Sequence, residues 1–450
     1  NMIGKINGEK RKSQMKNGFC GGIHPKGYKQ LSENSVPKAI EPPDIAVIPM
    51  AQHIGALCTP IVKVGDTVKI GDKVGDGEGL CVPVHASVSG RVIAVEPRPH
   101  TNGTEVLSVV IENDKKGTYI NSAAKVLDPE KSTDEQLIAA IREAGIVGMG
   151  GATFPTDVKI KSGLGKVDTI IVNACECEPY ITADDMLIRS SAENILSGLM
   201  VAAKILKPKT LIFAIEDNKL RAIEILKKTI AGEHNIDLKI LKTRYPQGAE
   251  KQLIQTVTGR EVPAGKLPAD VGCAVFNAAT LNAVYDAIYN GMPLVERIVT
   301  VSGDAVVQPQ NFIVPIGTKL SHVIKCAGGL TENAEKVISG GPMMGVSQKN
   351  LEGAVIKGTN SVLCLTHKEI SVENPTCIRC GKCLEVCPMR LQPLYLYHNA
   401  QLGKLDRLAE LNLTDCIECG CCSYACPAKL PLVEQFRRGK KELRERQAAK

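Results

Sequence analysis

The sequence predicts a multidomain α/β protein, and three observations indicate this fold class. The chain has 450 residues, more than one domain usually holds, so several separately packed units are expected. Its central part alternates β-branched apolar runs with amphipathic segments, which is typical of a sheet covered by helices. Near its end lie two short cysteine-rich tracts, which indicate a separate metal-binding unit.

Composition argues against some classes of function. Aromatic residues make up 3% of the chain and tryptophan is absent, so a stacking platform for nucleic acid is not expected. The net charge of +7 is concentrated in KINGEKRKSQMK and RRGKKELRERQAAK near the two ends. These runs are either solvated tails or docking surfaces for an acidic protein or an anionic membrane. With no apolar run near the ~18 residues of a membrane span and no signal-peptide pattern, we expect a soluble or peripheral protein.

Cysteine usage indicates a reducing compartment. About half of the 17 cysteines fall in the two tracts of a long chain without a secretory signal, so metal ligation fits better than disulfides. We therefore expect a cytosolic setting.

The first predicted unit is a small β domain. Residues 58–95 contain short valine-rich strands separated by Gly-Asp turns, and this pattern resembles the barrel-sandwich hybrid of lipoyl and biotinyl carriers. Those carriers bear their cofactor on a lysine at a hairpin tip, where this chain has PVHASVSG with His85. A lone histidine is usually neither a ligand nor a proton relay. We expect a packing or docking module over residues 41–115, after an N-terminal segment of residues 1–40, and no lipoylation.

The second predicted unit, residues 116–295, is a Rossmann-like α/β domain. A glycine-rich stretch, GIVGMGGATFPT, follows the helix EQLIAAIREA, whose N-cap is Ser132 or Thr133. The strand VDTIIVNACECEP ends in polar and acidic residues, and ligands of open α/β sheets bind at such ends. The helix ENILSGLMVAAKILK and the strand TLIFAIED follow, and then a strand breaks at Tyr245-Pro246 before a helix begins beyond Gly248. Glycine turns and helix N-termini suit phosphate groups, so a nucleotide-binding domain is expected.

The two cysteine tracts predict two [4Fe–4S] clusters. CIRCGKCLEVCP and CIECGCCSYACP share the spacing C-x2-C-x2-C-x3-C-P, in which the fourth cysteine ligates the other cluster. Structural zinc is the alternative, but it usually takes paired C-x2-C ligands. We assign one cluster to Cys377, Cys380, Cys383 and Cys426 and the other to Cys416, Cys419, Cys422 and Cys387.

The rest of the cysteine-rich unit is predicted to be helical. LQPLYLYHNAQLGKLDRLAEL has apolar residues at spacings of three and four, which indicates an α-helical two-cluster ferredoxin domain over residues 374–436. Gly381 and Gly420 would let backbone amides approach sulfide. Cys421 lies outside the ligand spacing and is expected to be a small packing residue. Residues 351–373 are expected to be a linker, and residues 437–450 a basic, frayed helical tail.

Four stretches resemble a known family. GMGGATFPTDVK, NACECEPYITADD, YPQGAEKQL and FNAATLNAV resemble, in order, the flavin- and NADH-binding segments of the flavoprotein subunit of respiratory complex I. With FCGGIHPKGYKQLSENSVPKAIEPPDIAVIPMAQHIG and the cysteine tracts, the chain from about Gly18 to Phe436 resembles the C-subunit family of Rnf electron transport complexes, which are ferredoxin:NAD+ oxidoreductases. Residues 296–350 resemble a soluble-ligand-binding β-grasp domain, in which Gly340-Gly341-Pro342 forms either a tight turn or a close approach to a partner or cofactor.

The resemblance implies a set of FMN-binding residues. The backbone of Gly148, Gly150 and Gly151 would approach the flavin, and the side chains of Asn173 and Glu178 would flank its ring. Lys159, Asn277 and Thr280 would hold its phosphate. Tyr245 and Gly248 would line the cleft.

The resemblance also implies contacts with NAD(H). Phe154 would stack on the adenine, Glu250 and Lys266 would contact the dinucleotide, and Glu178 would face the nicotinamide as the candidate catalytic residue.

Three positions depart from the complex I pattern. Met149 stands where complex I has arginine, while Cys175 and Cys177 replace aspartate and serine beside Glu176. We expect both cysteines to be small packed residues.

The function that the resemblance implies is electron transfer between ferredoxin and NAD+. A flavin exchanges hydride with NAD(H) and single electrons with clusters, so it joins two kinds of chemistry. The chain would be a peripheral subunit on the cytoplasmic face of the cell membrane. It would contact the other Rnf subunits, receive ferredoxin electrons through one of them, and support Na+ or H+ translocation. The alternatives are a cobalamin reductase of bacterial microcompartments and a non-catalytic electron-relay subunit.

Overall fold

The computed structural model describes residues 18–233, 235–366 and 375–448. Within these ranges the chain forms four β-sheets, helices around one of them, and a helical unit at the C-terminal end. No helix in the described ranges is long and apolar enough to cross a membrane. The basic run near the N-terminus lies outside the described residues, as does part of the predicted linker, residues 367–373.

The first unit consists of two antiparallel sheets packed on a shared core. The turns between strands are closed by aspartates: Asp66 and Asp72 each accept a hydrogen bond from a backbone N–H three residues earlier, at 2.9 and 2.7 Å. One sheet has the order β2-β8-β7-β4 and the other the order β3-β5-β6. Their strands are β2 (Ile45–Pro49), β3 (Thr59–Pro60), β4 (Thr67–Val68), β5 (Lys73–Asp76), β6 (Val84–His85), β7 (Gly90–Pro99) and β8 (Glu105–Asn113), and a separate strand, β1 (Lys38–Ala39), precedes them.

The stretch that holds the cofactor lysine in carrier domains is covered here. Residues 81–90 are all buried, and His85 lies inside the unit on β6. The Ser87 hydroxyl donates to the Ile316 carbonyl of another unit, and Gly145 packs so closely that a Cβ there would lie 2.3 Å from the Pro83 carbonyl oxygen. This burial makes the first unit a packing module in contact with its neighbours.

The second unit is a parallel sheet covered by helices. Its four strands run in the order β11-β10-β9-β12, so β9 and β12 lie side by side although they are far apart in sequence. Of the two predicted N-caps, Thr133 is the one used, in a reciprocal capping box with Gln136. The elements are α1 (Asp134–Glu143), α2 (Thr156–Gly163), β9 (Thr169–Ala174), α3 (Ala183–Leu206), β10 (Thr210–Glu216), α4 (Leu220–Thr229), β11 (Ile236–Leu241), α5 (Glu250–Thr258), β12 (Cys273–Asn277) and α6 (Ala278–Tyr289).

The third unit is a six-stranded mixed sheet with one helix. Its strand order is β1-β14-β13-β17-β15-β16, and β1 from the N-terminal segment pairs in parallel with β14. The elements are β13 (Glu296–Ser302), β14 (Gln310–Pro315), α7 (Leu320–Cys326), β15 (Lys336–Ser339), β16 (Val346–Ser347) and β17 (Ser361–Leu365).

The predicted linker over residues 351–373 is wrong for its described part. Strand β17 lies between β13 and β15 in the sheet, and Val362, Leu363 and Cys364 have no exposed surface. The chain enters this strand along Ala354 and Val355, which are also buried. A short apolar strand that pairs with distant partners gives no periodic signal, so its sequence alone does not separate it from a connection.

The fourth unit is helical, as the spacing of its apolar residues predicted. Its helices pack on one another around Leu396, Leu408 and Phe436. They are α8 (Lys382–Glu385), α9 (Pro393–Gln401), α10 (Leu405–Glu410), α11 (Cys421–Ala425) and α12 (Leu432–Ala448).

The predicted frayed tail is also wrong as far as residue 448. Helix α12 continues through it, with Leu443 buried and the buried Lys440 donating to Glu418 at 2.8 Å. Arg437 reaches the same carboxylate at 2.9 Å, and Arg446 pairs with Asp406 at 2.6 Å. The basic residues therefore fasten the helix to the cysteine-rich unit.

Candidate functional site

The cysteines of the two tracts converge into two groups of four. Each group lines its own pocket, and Cys421 also borders the second pocket. Each group takes three cysteines from one tract and the fourth from the other, as the assignment from the spacing requires. The first group is Cys377, Cys380, Cys383 and Cys426, and the second is Cys387, Cys416, Cys419 and Cys422. Four thiols around a compact pocket fit the ligand set of a [4Fe–4S] cluster.

Both tracts fold in the same way around their thiols. Gly381 and Gly420 have φ of 79° and 78°, where the left-handed conformation favours glycine, and each precedes a short helix. The amide of Arg379 donates to the Cys377 sulfur and the amide of Glu418 donates to the Cys416 sulfur, both at 3.4 Å. Such N–H···S bonds tune iron–sulfur sites.

Cys421, the cysteine outside the ligand spacing, is fully buried. Its sulfur lies 4.0 Å from the carbonyl oxygen of Tyr245, in a cluster with Ile23. It thus packs where the cysteine-rich unit meets the α/β unit.

The glycine-rich loop lies at the carboxyl end of the parallel sheet. Gly150 is exposed, and a Cβ there would lie 3.2 Å from the side chain of Asn277, the last residue of β12. The Met149 amide donates to the Thr280 hydroxyl at 2.9 Å, and the Gly148 amide donates to the Phe154 carbonyl at 2.8 Å. These contacts hold a loop of exposed backbone, including Gly151, beside the ends of two strands.

The neighbouring predicted residues meet at the same edge. The Asn173 amide at the end of β9 donates to the Gly248 carbonyl at 2.8 Å. Lys159 on α2 donates to Glu250 at 2.7 Å and to the Val275 carbonyl at 2.9 Å. One end of the sheet therefore carries an ammonium group, primary amides and glycine backbone close together.

Two predicted site residues connect the units. The Tyr245 hydroxyl, buried, donates to the Cys419 carbonyl at 2.8 Å, so this ring faces the second cysteine group rather than an open cleft. The Glu178 carboxylate accepts from the amides of Met343 and Met344, at 3.1 and 3.0 Å, in the loop between β15 and β16. We call these contacts the seam.

Two other predicted residues lie apart from these contacts. Lys266 is exposed in the loop before β12. Phe154 is partly exposed and meets the glycine loop through its backbone carbonyl. Their roles toward a dinucleotide stay predictions.

Cys175 packs against β10, and the partly buried Cys177 lies beside the loop before α5. The Cys175 sulfur donates to the Ala214 carbonyl at 3.4 Å, and the Cys177 sulfur accepts from the Gly248 amide at 3.4 Å. Burial raises the pKa of both thiols.

A buried charge cluster behind the site was not predicted. Lys29 donates to the backbone carbonyls of Glu176, Glu178 and Ile181, at 2.6 to 2.9 Å. Lys219 is buried and pairs with the Glu176 carboxylate at 2.7 Å. Burial lowers the pKa of Lys29 to about 8. These lysines hold the segment that carries Glu178 in place. They come from separate parts of the chain, so no local sequence pattern predicts their contacts with it.

The pKa of Glu178 gives a testable pH dependence. Burial raises the pKa of this carboxyl to about 7, against an ordinary value of 4.5. Its contribution to stability is therefore complete below about pH 4.5 and is lost as the pH rises through about 7. We expect the free energy of unfolding to fall with rising pH by on the order of 1 kcal/mol more in the unmodified protein than in Glu178→Gln, a value reduced because the group is partly exposed. The Tm of the unmodified protein should fall correspondingly more steeply. Parallel Tm profiles would contradict this, and Glu193→Gln, at an exposed site on α3, is the matched control.

Four family models match the chain. They are the RnfC barrel sandwich hybrid domain at residues 17–116, the Nuo51 FMN-binding domain at 141–286, the SLBB domain at 298–347 and the 4Fe-4S dicluster domain at 376–430.

Full-length relatives are also similar to this chain. It is 47% identical to the C subunit of the Na(+)-translocating ferredoxin:NAD(+) oxidoreductase complex of Acetobacterium woodii, over 94% of this chain and 97% of that protein. It is 42% identical to the C subunit of the proton-translocating ferredoxin:NAD(+) oxidoreductase complex of Clostridium ljungdahlii, over 87% and 86%. It is 43% identical to the C subunit of the ion-translocating oxidoreductase complex of Rhodobacter capsulatus, over 96% and 84%.

Proposed function

Since the chain belongs to the C-subunit family of ion-translocating ferredoxin:NAD+ oxidoreductase (Rnf) complexes, we propose that it is the NAD(H)-reactive electron-transfer subunit of such a complex. Electrons that leave ferredoxin reach this chain through other subunits and are delivered to NAD+. The chain works with membrane subunits that translocate the ion, and it lies on the cytoplasmic face of that assembly. Its seventeen cysteines, all within the described residues and all unpaired, suit a reducing compartment.

The observation that carries this proposal is the contact between the flavin-binding unit and a cysteine group. One hydrogen bond, from Tyr245 to the Cys419 carbonyl, joins the loop after β11 to a residue of the second group. The first group shares the same small helical core. The two cluster sites of the helical unit would thus lie beside the flavin site of the α/β unit, so that electrons can pass from the clusters to the flavin.

The residues at the carboxyl edge of the sheet suit FMN. Exposed Gly150 and Gly151 permit close approach of a ligand to the backbone, and a Cβ on Gly151 would meet no atom within 4 Å. Lys159 offers a positive charge for a phosphate, and Asn173 and Asn277 offer amides. When bound, FMN supplies the exchange between hydride transfer and single-electron transfer. The protein residues bind it, orient it and hold the clusters near it.

NAD(H) is the proposed substrate, on the open side of the same edge. Glu250 would act there as an acceptor for ribose or amide groups, and Phe154 offers a partly exposed ring. Glu178, whose two oxygens accept from the amides of Met343 and Met344, would face the nicotinamide. We further propose that residues 296–350 form a β-grasp domain, because α7 covers a mixed sheet there, and that this domain positions Glu178 through the amides of Met343 and Met344.

Removing the charge of Lys159 should weaken FMN binding. Lys159→Met deletes a charge-assisted hydrogen bond to the phosphate, worth about 1.5–3 kcal/mol, so the Kd of FMN should rise on the order of 10- to 100-fold. The measurement is fluorescence titration of FMN into the flavin-free chain. Lys161→Met, which removes an exposed lysine of the same helix that pairs with Asp157, is the control and should leave the Kd unchanged. Equal Kd values for the two variants would exclude Lys159 as a phosphate ligand.

The function itself is tested with the full chain after anaerobic reconstitution of flavin and clusters. We expect NADH oxidation with an artificial electron acceptor, and a stoichiometric content of flavin. A non-catalytic relay would contain clusters but neither flavin nor NADH oxidation. Family membership favours an Rnf subunit over a cobalamin reductase, and cobalamin should not act as the preferred acceptor.

A further inference from the structure

We propose that His53, Cys58 and Cys81 form a zinc site in the first unit, separate from the cluster and flavin sites. These residues lie on the loop between β2 and β3 and the loop between β5 and β6. Neither loop takes part in the proposed electron transfer. The site would fasten two irregular segments of the barrel-sandwich unit to each other.

The three ligand atoms form a triangle of the right size. The two cysteine sulfurs are 3.5 Å apart, and each lies 3.7 Å from Nε2 of His53. Tetrahedral zinc, with Zn–S of about 2.3 Å and Zn–N of about 2.0–2.1 Å, has S···S and S···N edges of about 3.8 and 3.6 Å. One ion can therefore bind all three atoms with only small movements.

The histidine is oriented as a metal ligand is. Its Nδ1 lies 3.2 Å from the Ile54 carbonyl, so a proton on Nδ1 can be donated there. The lone pair of Nε2 then faces the thiols, and a bound zinc ion would replace the Val82 amide, 3.3 Å away, as the partner of this nitrogen. Donation of the second ring N–H to a backbone carbonyl is the usual support of a zinc-bound histidine.

The fourth position has a candidate on the protein. The Val82 carbonyl oxygen lies 3.1 Å from His53 Nε2 and 3.3 Å from the Cys58 sulfur. It can serve as a ligand, or a water molecule can enter past His53, which is only partly buried. Among the described residues no further His, Cys, Asp or Glu joins the group, so zinc would have three side-chain ligands.

The surroundings keep the two thiols in place. Cys58 and Cys81 are 3% and 1% exposed. Gly77 packs against the second, because a Cβ at Gly77 would lie 3.0 Å from its sulfur. The ammonium group of buried Lys357 donates to the Pro83 carbonyl, two residues after Cys81, and so holds this loop in place.

A disulfide is the competing interpretation of two close cysteines. Their sulfurs are 3.5 Å apart, whereas a disulfide requires about 2.05 Å. A disulfide also does not explain why His53 Nε2 lies 3.7 Å from both sulfurs, whereas one zinc ion would bind all three side chains.

The test uses the full chain, expressed with zinc in the medium and purified without oxygen, with its clusters intact. Elemental analysis should give about one zinc per chain. Cys58→Ser combined with Cys81→Ser should reduce zinc about tenfold or more, whereas Cys364→Ala, at a buried cysteine of β17, should not.

X-ray absorption at the zinc edge tests the site in the unmodified protein, so it does not depend on whether the serine variant folds. Zinc in the unmodified protein should have two sulfur neighbours at about 2.3 Å and nitrogen or oxygen neighbours at about 2.0–2.1 Å. A shell of four sulfurs would mean zinc in the cluster cysteines and would overturn the proposal. A zinc content near zero, zinc unchanged in the serine variant, or a disulfide between Cys58 and Cys81 found by mass spectrometry would overturn it as well.

Discussion

Cys426→Ser is expected to remove the cluster of the first tract, although Cys426 belongs to the second. The structure places Cys426 with Cys377, Cys380 and Cys383, and a [4Fe–4S] cluster requires its fourth thiolate. The variant should lose about half of the iron and sulfide and one of two cluster signals in electron paramagnetic resonance.

Double variants show whether the fourth cysteine of each tract binds the cluster of the other tract. If Cys426 and Cys380 hold the same cluster, Cys380→Ser combined with Cys426→Ser should retain as much iron as either single variant. Cys419→Ser combined with Cys426→Ser should lose both clusters. The reverse pattern would show that each tract binds its own cluster, and it would contradict the two pockets of the structure.

Tyr245→Ala is expected to disconnect the flavin-binding unit from the clusters. The ring is 2% exposed, so its removal leaves a cavity at the seam and should cost about 3–5 kcal/mol of stability. The hydrogen bond to the Cys419 carbonyl is lost with it. We expect slower electron transfer between NAD(H) and the clusters in stopped-flow experiments, while FMN content and NADH oxidation with an artificial acceptor remain.

Tyr245→Phe is the matched control for that effect. It keeps the packed ring and deletes only the hydroxyl, so a loss of about 1 kcal/mol and a smaller change in rate are expected. If Tyr245→Ala instead abolishes FMN binding, and with it NADH oxidation with an artificial acceptor, the residue lines the flavin cleft, as the sequence resemblance implied, and does not act at the seam.

The features that short-range spacing determines could be predicted from the sequence. The C-x2-C-x2-C-x3-C-P tracts fix which thiols can converge, and the structure collects the same two quartets. The parallel sheet was predictable too, because β9, β10 and β12 are buried apolar runs that each end in polar residues. Thr133 was one of two possible caps, and only the geometry of Gln136 selects it.

What the sequence did not predict depends on contacts between distant residues. Strand β17 is five residues long and gains its place only by pairing with β13 and β15. Helix α12 carried an available signal in the spacing of Leu432, Phe436 and Leu443, but its many basic residues resembled a solvated tail.

The site residues also divide into those that local motifs predict and those that only distant contacts bring together. Glycine, lysine and asparagine at the carboxyl edge of the sheet belong to motifs that can be recognised locally. Lys29 and Lys219 lie far from Glu176 in the chain, and strands β3, β4 and β5 separate His53 from Cys81, so only the folded structure brings these residues together.

The most direct test of the central claim follows electrons through the reconstituted full chain. The clusters are reduced without oxygen, excess reductant is removed, and NAD+ is added. We expect the paramagnetic resonance signal of the reduced clusters to disappear as NADH absorbance appears, one NADH for every two electrons, and we expect no NADH from chain that lacks flavin. Reduced clusters that persist in the presence of NAD+ and bound flavin would contradict the proposed function.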